Sequence, residues 1–348
     1  MVTTTKTQVK KLSAHFVGNK SDGEDLTLSN ETIAVVDATL HQVLLEYFLS
    51  NFNSPERFQF GFTNDDLHLN PVYQYVTTIF DKPAQLHQQS TFLAKHLYEN
   101  SLHPNIKSGD FYVALFEDIE IDGEITDAVG LFKAETKDTF LKLQAEAGNF
   151  ELAIEAGTNT DKLDKGCLIL NINKAEGYKV CIVDKSNKAS EAQYWRDQFL
   201  NIKPCADEFH YTNNFLSIAK NFVTKQLVEE YEVTKADQAA YLNKSIEYFK
   251  QNEEFDSSAF AKKVFEQPDV IESFSKFKTI YQAEKDIEIA EEFTISAPAV
   301  KKQAKVFKSV IKLDKNFHIY VHGKRELIER GVESDGRKYY KIYYTEEN

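Results

Sequence analysis

Apolar residues recur at two different spacings along the chain. In Val9–Val17 they recur near every second position, which predicts a strand, and a polar turn separates this segment from a partner strand at Asp25–Leu28. Ser29 and Asn30 can each accept hydrogen bonds from free helical N–H groups, and apolar residues from Ile33 onward recur every three or four positions. This pattern predicts a strand pair followed by an amphipathic helix that begins near Ser29.

A second helix is predicted over Pro83–Asn100, and from residue 108 the hydrophobic period shortens to two. Turn sequences such as Asp122-Gly123 and Glu176-Gly177 separate most of the apolar segments that follow. Short strands joined by short turns predict an antiparallel meander. The predicted strands are Phe111–Phe116, Glu117–Ile121, Ala128–Lys133, Phe140–Leu143, Phe150–Ile154, Cys167–Ile172 and Lys179–Val183.

Helical spacing returns near Ser190, with Thr234 and Ser257 as predicted N-caps and Pro268 near the start of the last helix. The predicted helices are Ala192–Leu200, Thr212–Tyr231, Thr234–Gln251, Ser257–Gln267 and Val270–Lys285. Alternating segments then resume, and Ser334-Asp335-Gly336 is typical of a hairpin turn. The predicted C-terminal strands are Lys308–Asp314, Phe317–His322, Glu326–Glu333 and Arg337–Thr345.

Together these segments predict an α+β fold. An antiparallel sheet with packed helices is followed by a helical region and a small C-terminal β-meander. We expect two domains, a mixed sheet and helix domain over residues 1–205 and a helical region over 206–348, whose meander occupies about residues 300–348. No apolar run approaches the ~20 residues of a membrane helix, and no secretory signal is visible. We therefore expect a cytoplasmic protein with no membrane partner.

Charge is distributed unevenly along the chain. The net charge is −13, yet residues 301–348 hold 12 Lys and Arg against 7 Asp and Glu, a balance of +5. The preceding 300 residues therefore carry a balance of −18. An acidic body argues against a general polyanion binder, because affinity for phosphates requires clustered Lys and Arg. A basic segment at one end is the exception that favours a localised interaction.

The basic and aromatic residues of the C-terminal segment are the candidate DNA-binding site. In the last predicted strand, Arg337, Tyr339, Lys341 and Tyr343 share one face. Cations of this kind neutralise phosphates, and tyrosines stack on bases. The alternative is a solvated edge sheet whose lysines discourage aggregation. The full candidate set is Lys312, Lys315, Lys324, Arg325, Arg330, Arg337, Lys338, Tyr339, Lys341 and Tyr343.

Motifs for other chemistry are weak, and we predict no catalytic residue, no metal and no cofactor. Asp118–Gly123 imitates the start of a calcium loop, but the twelfth position is Val129 instead of the bidentate Glu. His318 and His322 would lie ~13 Å apart along a strand, too far to share a metal. The three cysteines, Cys167, Cys181 and Cys205, lack CxxC spacing and fit a reducing compartment.

One enzymatic alternative stays open. Glu135-x-Lys137 follows a predicted strand, and Asp118 and Asp127 lie upstream of it. Metal-dependent nucleases use acids of this kind to hold Mg²⁺ and a lysine to steady the attacking water. In a chain with 54 acidic residues such a spacing also arises by chance.

Several segments resemble the bacterial nucleoid-associated protein family, the NdpA group. The resemblance begins with the strand Lys11–Val17, which carries a histidine, and includes Gly109–Val113, Ala128–Lys133, Asp164–Ile172 and Tyr194–Leu200. It extends over most of the chain and rests on the order and spacing of segments. At the C-terminus the glycine-rich stretch of the family is replaced by residues 304–310.

The resemblance implies a cytoplasmic, nucleoid-located protein that binds DNA or a DNA-bound partner without an assigned enzymatic activity. The first hypothesis is thus a non-catalytic DNA-binding or chromosome-scaffolding protein. The alternatives are an acidic adaptor that meets proteins of a DNA-processing complex and, third, the metal-dependent nuclease. A protein partner and a homo-oligomer are compatible with each of these hypotheses.

Overall fold

The computed structural model describes residues 2–3, 6–62, 66–146, 149–185, 194–307, 310–321 and 327–346. Two compact units make up the chain, Met1–Cys205 and Ala206–Asn348. The predicted α+β class is confirmed, since helices pack on an antiparallel sheet in the first unit and the second unit is helical with small hairpins. None of the described helices combines the length and apolar character needed to cross a bilayer.

The described part of the first unit contains an antiparallel sheet of nine strands and a separate two-stranded ribbon. The strand bounds are β1 Val2–Thr3, β2 Gln8–Val17, β3 Leu26–Thr27, β4 Phe58–Phe60, β5 Gly109–Ile121, β6 Glu124–Ala134, β7 Lys137–Glu146, β8 Asn149–Thr158, β9 Lys165–Leu170, β10 Lys179–Asp184 and β11 Ile202–Pro204. The sheet has the strand order β11-β4-β10-β9-β6-β5-β2-β3, and β1 pairs with the end of β5. The ribbon consists of β7 and β8.

Helices cover both faces of this sheet because its central strands are apolar on both sides. In β5, Val113 and Leu115 join one hydrophobic cluster, whereas Ala114 and Phe116 join another. The first cluster contains the helices α2 (Pro71–Asp81) and α3 (Leu86–Glu99) and a π-helical segment, Tyr194–Leu200. The second contains α1 (Ala38–Leu49). The sheet therefore lies between two helical layers.

The predicted start of the first helix is wrong. The backbone N–H of Ile33 donates to Leu12 O at 2.8 Å, so residues after Ser29 continue the sheet contact. The helix begins at Ala38, where the Asp37 carboxylate accepts a hydrogen bond from Leu40 N at 2.7 Å. Pairing with β2, which is distant along the chain, therefore moves the start of the helix past the predicted caps Ser29 and Asn30.

Asp122 and Gly123 form the tight turn between β5 and β6, with φ values of 52° and 85°. The Asp122 carboxylate accepts hydrogen bonds from Nε and Nη2 of the buried Arg57 at 3.1 and 2.7 Å. These bonds lower the pKa of Asp122 although its partial burial opposes them. The segment that imitates a calcium loop is therefore a strand end and a hairpin turn.

Within its described residues, the second unit consists of helices and three two-stranded sheets. Thr234 is confirmed as an N-cap, because its hydroxyl accepts from Asp237 N while Asp237 accepts from Thr234 N. The cap of the next helix is Asp256, one residue before the predicted Ser257. A π-helical turn, Phe222–Gln226, follows α4. The helices are α4 Glu208–Asn221, α5 Leu227–Glu230, α6 Lys235–Gln251, α7 Ser257–Phe265, α8 Pro268–Lys285 and α9 Ala297–Ala304.

Aromatic side chains fill the core between these helices. Phe215 and Phe222 of the first helical stretch pack edge-on against Phe274 of α8, at ring-centroid distances of 6.0 and 5.2 Å. Phe255 stacks on Phe293 at 4.5 Å. These two residues belong to a small sheet that the sequence pattern did not predict, formed by β12 (Glu254–Asp256) and β13 (Glu292–Thr294).

The strands predicted at the C-terminus form two separate hairpins. The first joins β14 (Val310–Leu313) to β15 (Phe317–Tyr320), and the second joins β16 (Ile328–Val332) to β17 (Lys338–Ile342). In the described residues these pairs belong to different two-stranded sheets. A small hydrophobic cluster anchors both of them to α6, and it consists of Ala236, Ala239, Ile311, Val321 and Ile328 with Leu313, Ile319 and Tyr340 at its edge.

Candidate nucleic-acid interface

The second hairpin turns one face of β17 toward the core and the other toward solvent. Tyr340 packs against the cluster that anchors the hairpin to α6, so its neighbours Tyr339 and Lys341 point outward. Arg337 and Tyr343 lie just before and just after β17, each two positions from Tyr339 or Lys341, so they belong to the same face. We call these four residues, Arg337, Tyr339, Lys341 and Tyr343, the outer face of the hairpin.

Tyr339 lies across the neighbouring strand because a glycine stands opposite it. Gly331 is its cross-strand partner, and a Cβ at Gly331 would lie 2.3 Å from the Tyr339 ring. Tyr339 remains 41% exposed, so one side of the ring covers the backbone while the other faces solvent. Such a ring is a suitable platform for stacking a base.

Lys341 and Tyr343 interact directly on the outer face. The Nζ atom of Lys341 lies 4.9 Å from the centroid of the Tyr343 ring. A hydrogen bond with Tyr343 and the nearby Glu329 carboxylate raise the pKa of Lys341, which therefore stays protonated. Glu329 is also the cross-strand partner of Lys341, so a carboxylate stands next to the cation.

Arg337 is paired with an acid as well. Its Nε atom lies 2.6 Å from Asp335 Oδ2, and its backbone N–H donates to the same carboxylate at 3.0 Å. Both side chains are exposed, at 82% for Arg337 and 50% for Asp335. Exposed ion pairs contribute only ~0–1 kcal/mol to stability, so another anion can replace Asp335 at small cost.

The remaining candidate cations do not share this face. Arg330 is directly opposite Tyr340, and Lys338 lies two positions before Tyr340 on the same strand. Both cations are therefore on the other side of the hairpin. Lys312 is paired across the strand with His318 in the first hairpin, and Lys315 lies in its turn. Within the described residues these four cations form no ion pair. Lys324 and Arg325, and also His322, lie outside the described residues.

The acids and the lysine of the nuclease hypothesis have different partners. Lys137 pairs with Asp110, whereas Glu135 accepts a hydrogen bond from Tyr194 Oη at 3.0 Å. Asp118 lies where the register of β5 against β6 shifts, with a φ of 55°. In the part of the chain that the structure describes, no group of three or more His, Cys, Asp or Glu side chains could hold a metal ion.

Glu135 instead belongs to a buried charge cluster. Its carboxylate lies 3.3 Å from Lys133 Nζ and 3.9 Å from Lys165 Nζ, and both lysine side chains are at most 1% exposed. Lys165 also pairs with Asp184 at 3.0 Å. Both ammonium groups lie over the Tyr194 ring, at 5.6 and 5.3 Å. Burial lowers the pKa of Lys133 against the opposing effect of Glu135. The two lysines lie in the interior, and Glu135 is 10% exposed.

A buried histidine in β2 is fully hydrogen-bonded. His15 Nδ1 accepts from Ser29 N at 3.2 Å, so the ring proton is on Nε2, which lies 2.8 Å from Ser90 Oγ. The Ser90 hydroxyl in turn donates to His87 O at 2.7 Å. Burial and the neighbouring His87 lower the pKa of His15 to about 4. Since Ser90 is 0% exposed, this pair has a structural role.

The predicted core thiols are confirmed as buried. Cys167 and Cys181 lie inside the sheet, and burial raises the pKa of Cys167 well above its usual value and that of Cys181 to about 11. Thiols of this kind are poor nucleophiles. Cys205 is half-buried.

An acidic groove of about 580 Å³ in the second unit was not predicted. It lies between α5 and α8, and its floor includes Phe277 and Tyr281. The sequence signal that could have located it is the recurrence of acidic residues at helical spacing in α8. Its charged lining consists of Glu230, Asp269, Glu272 and Glu284 with the single cation Lys276.

The family model described as nucleoid-associated protein YejK matches residues 13–337, which is most of the chain. No curated protein matches the chain. The matched range contains most of the central sheet, the helical unit and the candidate residues up to Arg337, whereas Lys338, Tyr339, Lys341 and Tyr343 lie beyond its end.

Proposed function

Because the chain belongs to the nucleoid-associated protein family, we propose that it binds DNA directly, as a non-catalytic scaffold of the nucleoid. The proposed contact surface is the outer face of the second hairpin. The observation that carries this assignment is the solvent-facing strand on which Arg337 and Lys341 alternate with Tyr339 and Tyr343, each of these tyrosines 41% exposed. Cations that contact phosphate beside rings that stack on bases are the shared chemistry of nucleic-acid grooves.

The carboxylates beside these cations are compatible with binding. Asp335 and Glu329 are the neighbours of Arg337 and Lys341, and both interactions are solvent-exposed. Replacing such an acid by a phosphate costs little free energy, because the exposed ion pair contributes only ~0–1 kcal/mol. The same acids weaken the local positive potential. We therefore expect a modest affinity for DNA that falls steeply as the salt concentration rises.

The acidity of the rest of the chain restricts the orientation of the complex. The first 300 residues carry a balance of −18, which repels a second stretch of DNA. Contact is thus limited to the basic segment. We expect Lys312, Lys315, Arg330 and Lys338, on other surfaces of the two hairpins, to contribute mainly long-range attraction. Lys324 and Arg325 remain sequence-based candidates.

The test is duplex binding measured over a series of salt concentrations. The double variant Arg337→Glu with Lys341→Glu should lose at least about tenfold in affinity at low salt. The log–log salt slope should become shallower by ~0.9 for each phosphate that the variant no longer neutralises. Lys262→Glu, an exposed change in α7, is the matched control and should bind within about twofold of the intact chain. Absence of binding by the intact chain, or equal losses of affinity in the control, would contradict the proposal.

The acidic groove favours the adaptor as a second candidate function. Its four carboxylates and one lysine complement a basic segment of a protein, and its aromatic floor can bury that segment's apolar side chains. Pull-down from nuclease-treated lysate separates the two functions. Partners that disappear with DNA support direct DNA binding. Partners that persist, and that are lost with Asp269→Lys and Glu284→Lys, support the adaptor.

A further inference from the structure

The ribbon formed by β7 and β8 presents an apolar face to solvent. Leu141 is directly opposite Ile154, and Leu143 is directly opposite Leu152, so these four side chains lie on the same side. Phe150 continues this face toward the end of the ribbon. Each of the five residues is between 62% and 73% exposed. The other five positions of the face are Thr139, Ala145, Ala156, Thr158 and, at one end, Lys137.

The other side of the same ribbon is mainly polar, although it also carries Phe140, which is 46% exposed. Lys142 pairs with Glu155 across the strands at 2.8 Å, and Gln144 is opposite Glu151. A two-stranded hairpin is marginally stable by itself, and an antiparallel sheet with one apolar and one charged face normally packs the apolar face against a core. Within the described residues, both faces of this ribbon are exposed. The apolar side is thus a surface built to be covered by something outside this unit.

The scarcity of charge on this face restricts the kind of partner that can cover it. Apart from Lys137 at one end of the ribbon, which is paired with Asp110, no position of this face carries a charge, so the face offers little to a phosphate backbone. Two copies of a chain with a net charge of −13 repel each other, and an uncharged patch is where they can approach with the least repulsion. An apolar face of this kind is also complementary to itself, as a two-fold interface requires.

The available area is sufficient for a specific contact. Side chains of this size expose about 150–200 Å² when fully accessible, so five of them at roughly 70% exposure offer about 500–700 Å² per copy. A symmetric pair would therefore bury about 1,000–1,400 Å², which reaches the ~1,200–2,000 Å² of specific interfaces.

We propose that the chain forms a homodimer in which the apolar faces of two β7–β8 ribbons pack against each other. The two-fold axis passes near the centre of the face and brings Leu143 and Leu152 against the same residues of the second copy. Association removes these side chains from water and stabilises the ribbon. This inference does not depend on DNA binding, because the outer face of the second hairpin is not part of the contact.

The test compares two adjacent substitutions in β8 that point to opposite sides of the ribbon. The intact chain should have twice its monomer mass of 39.9 kDa in sedimentation equilibrium. Leu152→Glu should raise the dimer dissociation constant at least tenfold, because it places a carboxylate at the centre of the interface. Ala153→Glu introduces the same charge on the polar side, and it should change the constant less than threefold. Circular dichroism confirms that both variants are folded.

A second measurement uses the intact chain alone, so it does not depend on how the variants fold. Amide hydrogen exchange in residues 137–146 and 149–158 should slow as protein concentration rises through the dissociation constant. A monomeric intact chain, exchange in the ribbon that is independent of concentration, or equal weakening of the dimer by Leu152→Glu and Ala153→Glu would overturn the proposal.

Discussion

The ring of Tyr339 covers Gly331 of the neighbouring strand, where a Cβ would come within 2.3 Å of the ring. The glycine thus allows an aromatic side chain to lie flat on a two-stranded hairpin that has little core of its own. One side of the ring contacts the backbone and the other side stays open to solvent. A structural role of Tyr339 uses the side of the ring that covers the backbone, whereas a binding role uses the side that is open to solvent. The two roles can therefore be tested separately.

If the open side stacks on bases, Tyr339→Ala should weaken binding of a single-stranded oligonucleotide by ~1–3 kcal/mol, the usual contribution of one stacked base. Tyr339→Phe keeps the ring and should bind within about twofold of the intact chain. Fluorescence anisotropy at fixed salt measures both affinities. Equal affinity for the Ala and Phe variants would show that Tyr339 only covers the hairpin backbone.

Glu135 is expected to act as a buried counter-ion. Replacement by Gln leaves Lys133, whose side chain is 0% exposed, without its carboxylate. Breaking a buried pair by removing one partner costs about 3–5 kcal/mol in the free energy of unfolding. Urea denaturation measures this change, and Glu229→Gln at an exposed site of α5 should alter stability by less than ~0.5 kcal/mol.

The same variant tests the nuclease hypothesis. We expect no cleavage when the intact chain is incubated with DNA and either Mg²⁺ or Mn²⁺. Cleavage that is abolished by Glu135→Gln in a variant of unchanged stability would assign Glu135 to catalysis and contradict the structural role.

The stability of the first unit should fall as pH decreases from about 6.5 to about 4. In the fold the pKa of His15 is lowered to about 4, so the unfolded chain binds a proton at His15 over this interval and the folded chain does not. The free energy of unfolding therefore falls by up to ~1.4 kcal/mol for each pH unit from this group. Protonation would also turn Nδ1 into a donor that faces the Ser29 N–H.

Comparison with His15→Gln isolates this contribution from the carboxylates, which titrate in both proteins. The variant should be less stable at pH 7, and the difference from the intact chain should shrink as pH falls toward 4. Urea denaturation at pH 7, 5.5 and 4.5 gives the three differences. A difference that is constant across this range would show that His15 does not titrate as its environment implies.

Local sequence patterns predicted the elements whose determinants lie within a few residues. The alternation in β5, the capping residue Thr234 and the hairpin turn at Asp122-Gly123 are of this kind, because the side-chain period and the turn or cap chemistry are set by neighbours along the chain. The α+β class follows from the order of such elements. The resemblance to a nucleoid-associated family likewise depended on the order of segments, which the chain displays directly.

Tertiary structure decided the features that depend on residues distant in sequence. Pairing of Ile33 with Leu12 moved the start of α1 to Ala38. The packing of Tyr340 against the cluster at α6 chose which face of the last strand meets solvent. Parity along a strand specifies two faces, but only the contacts of the folded chain determine which of them is buried, because the free energy of burial depends on what is packed against each face.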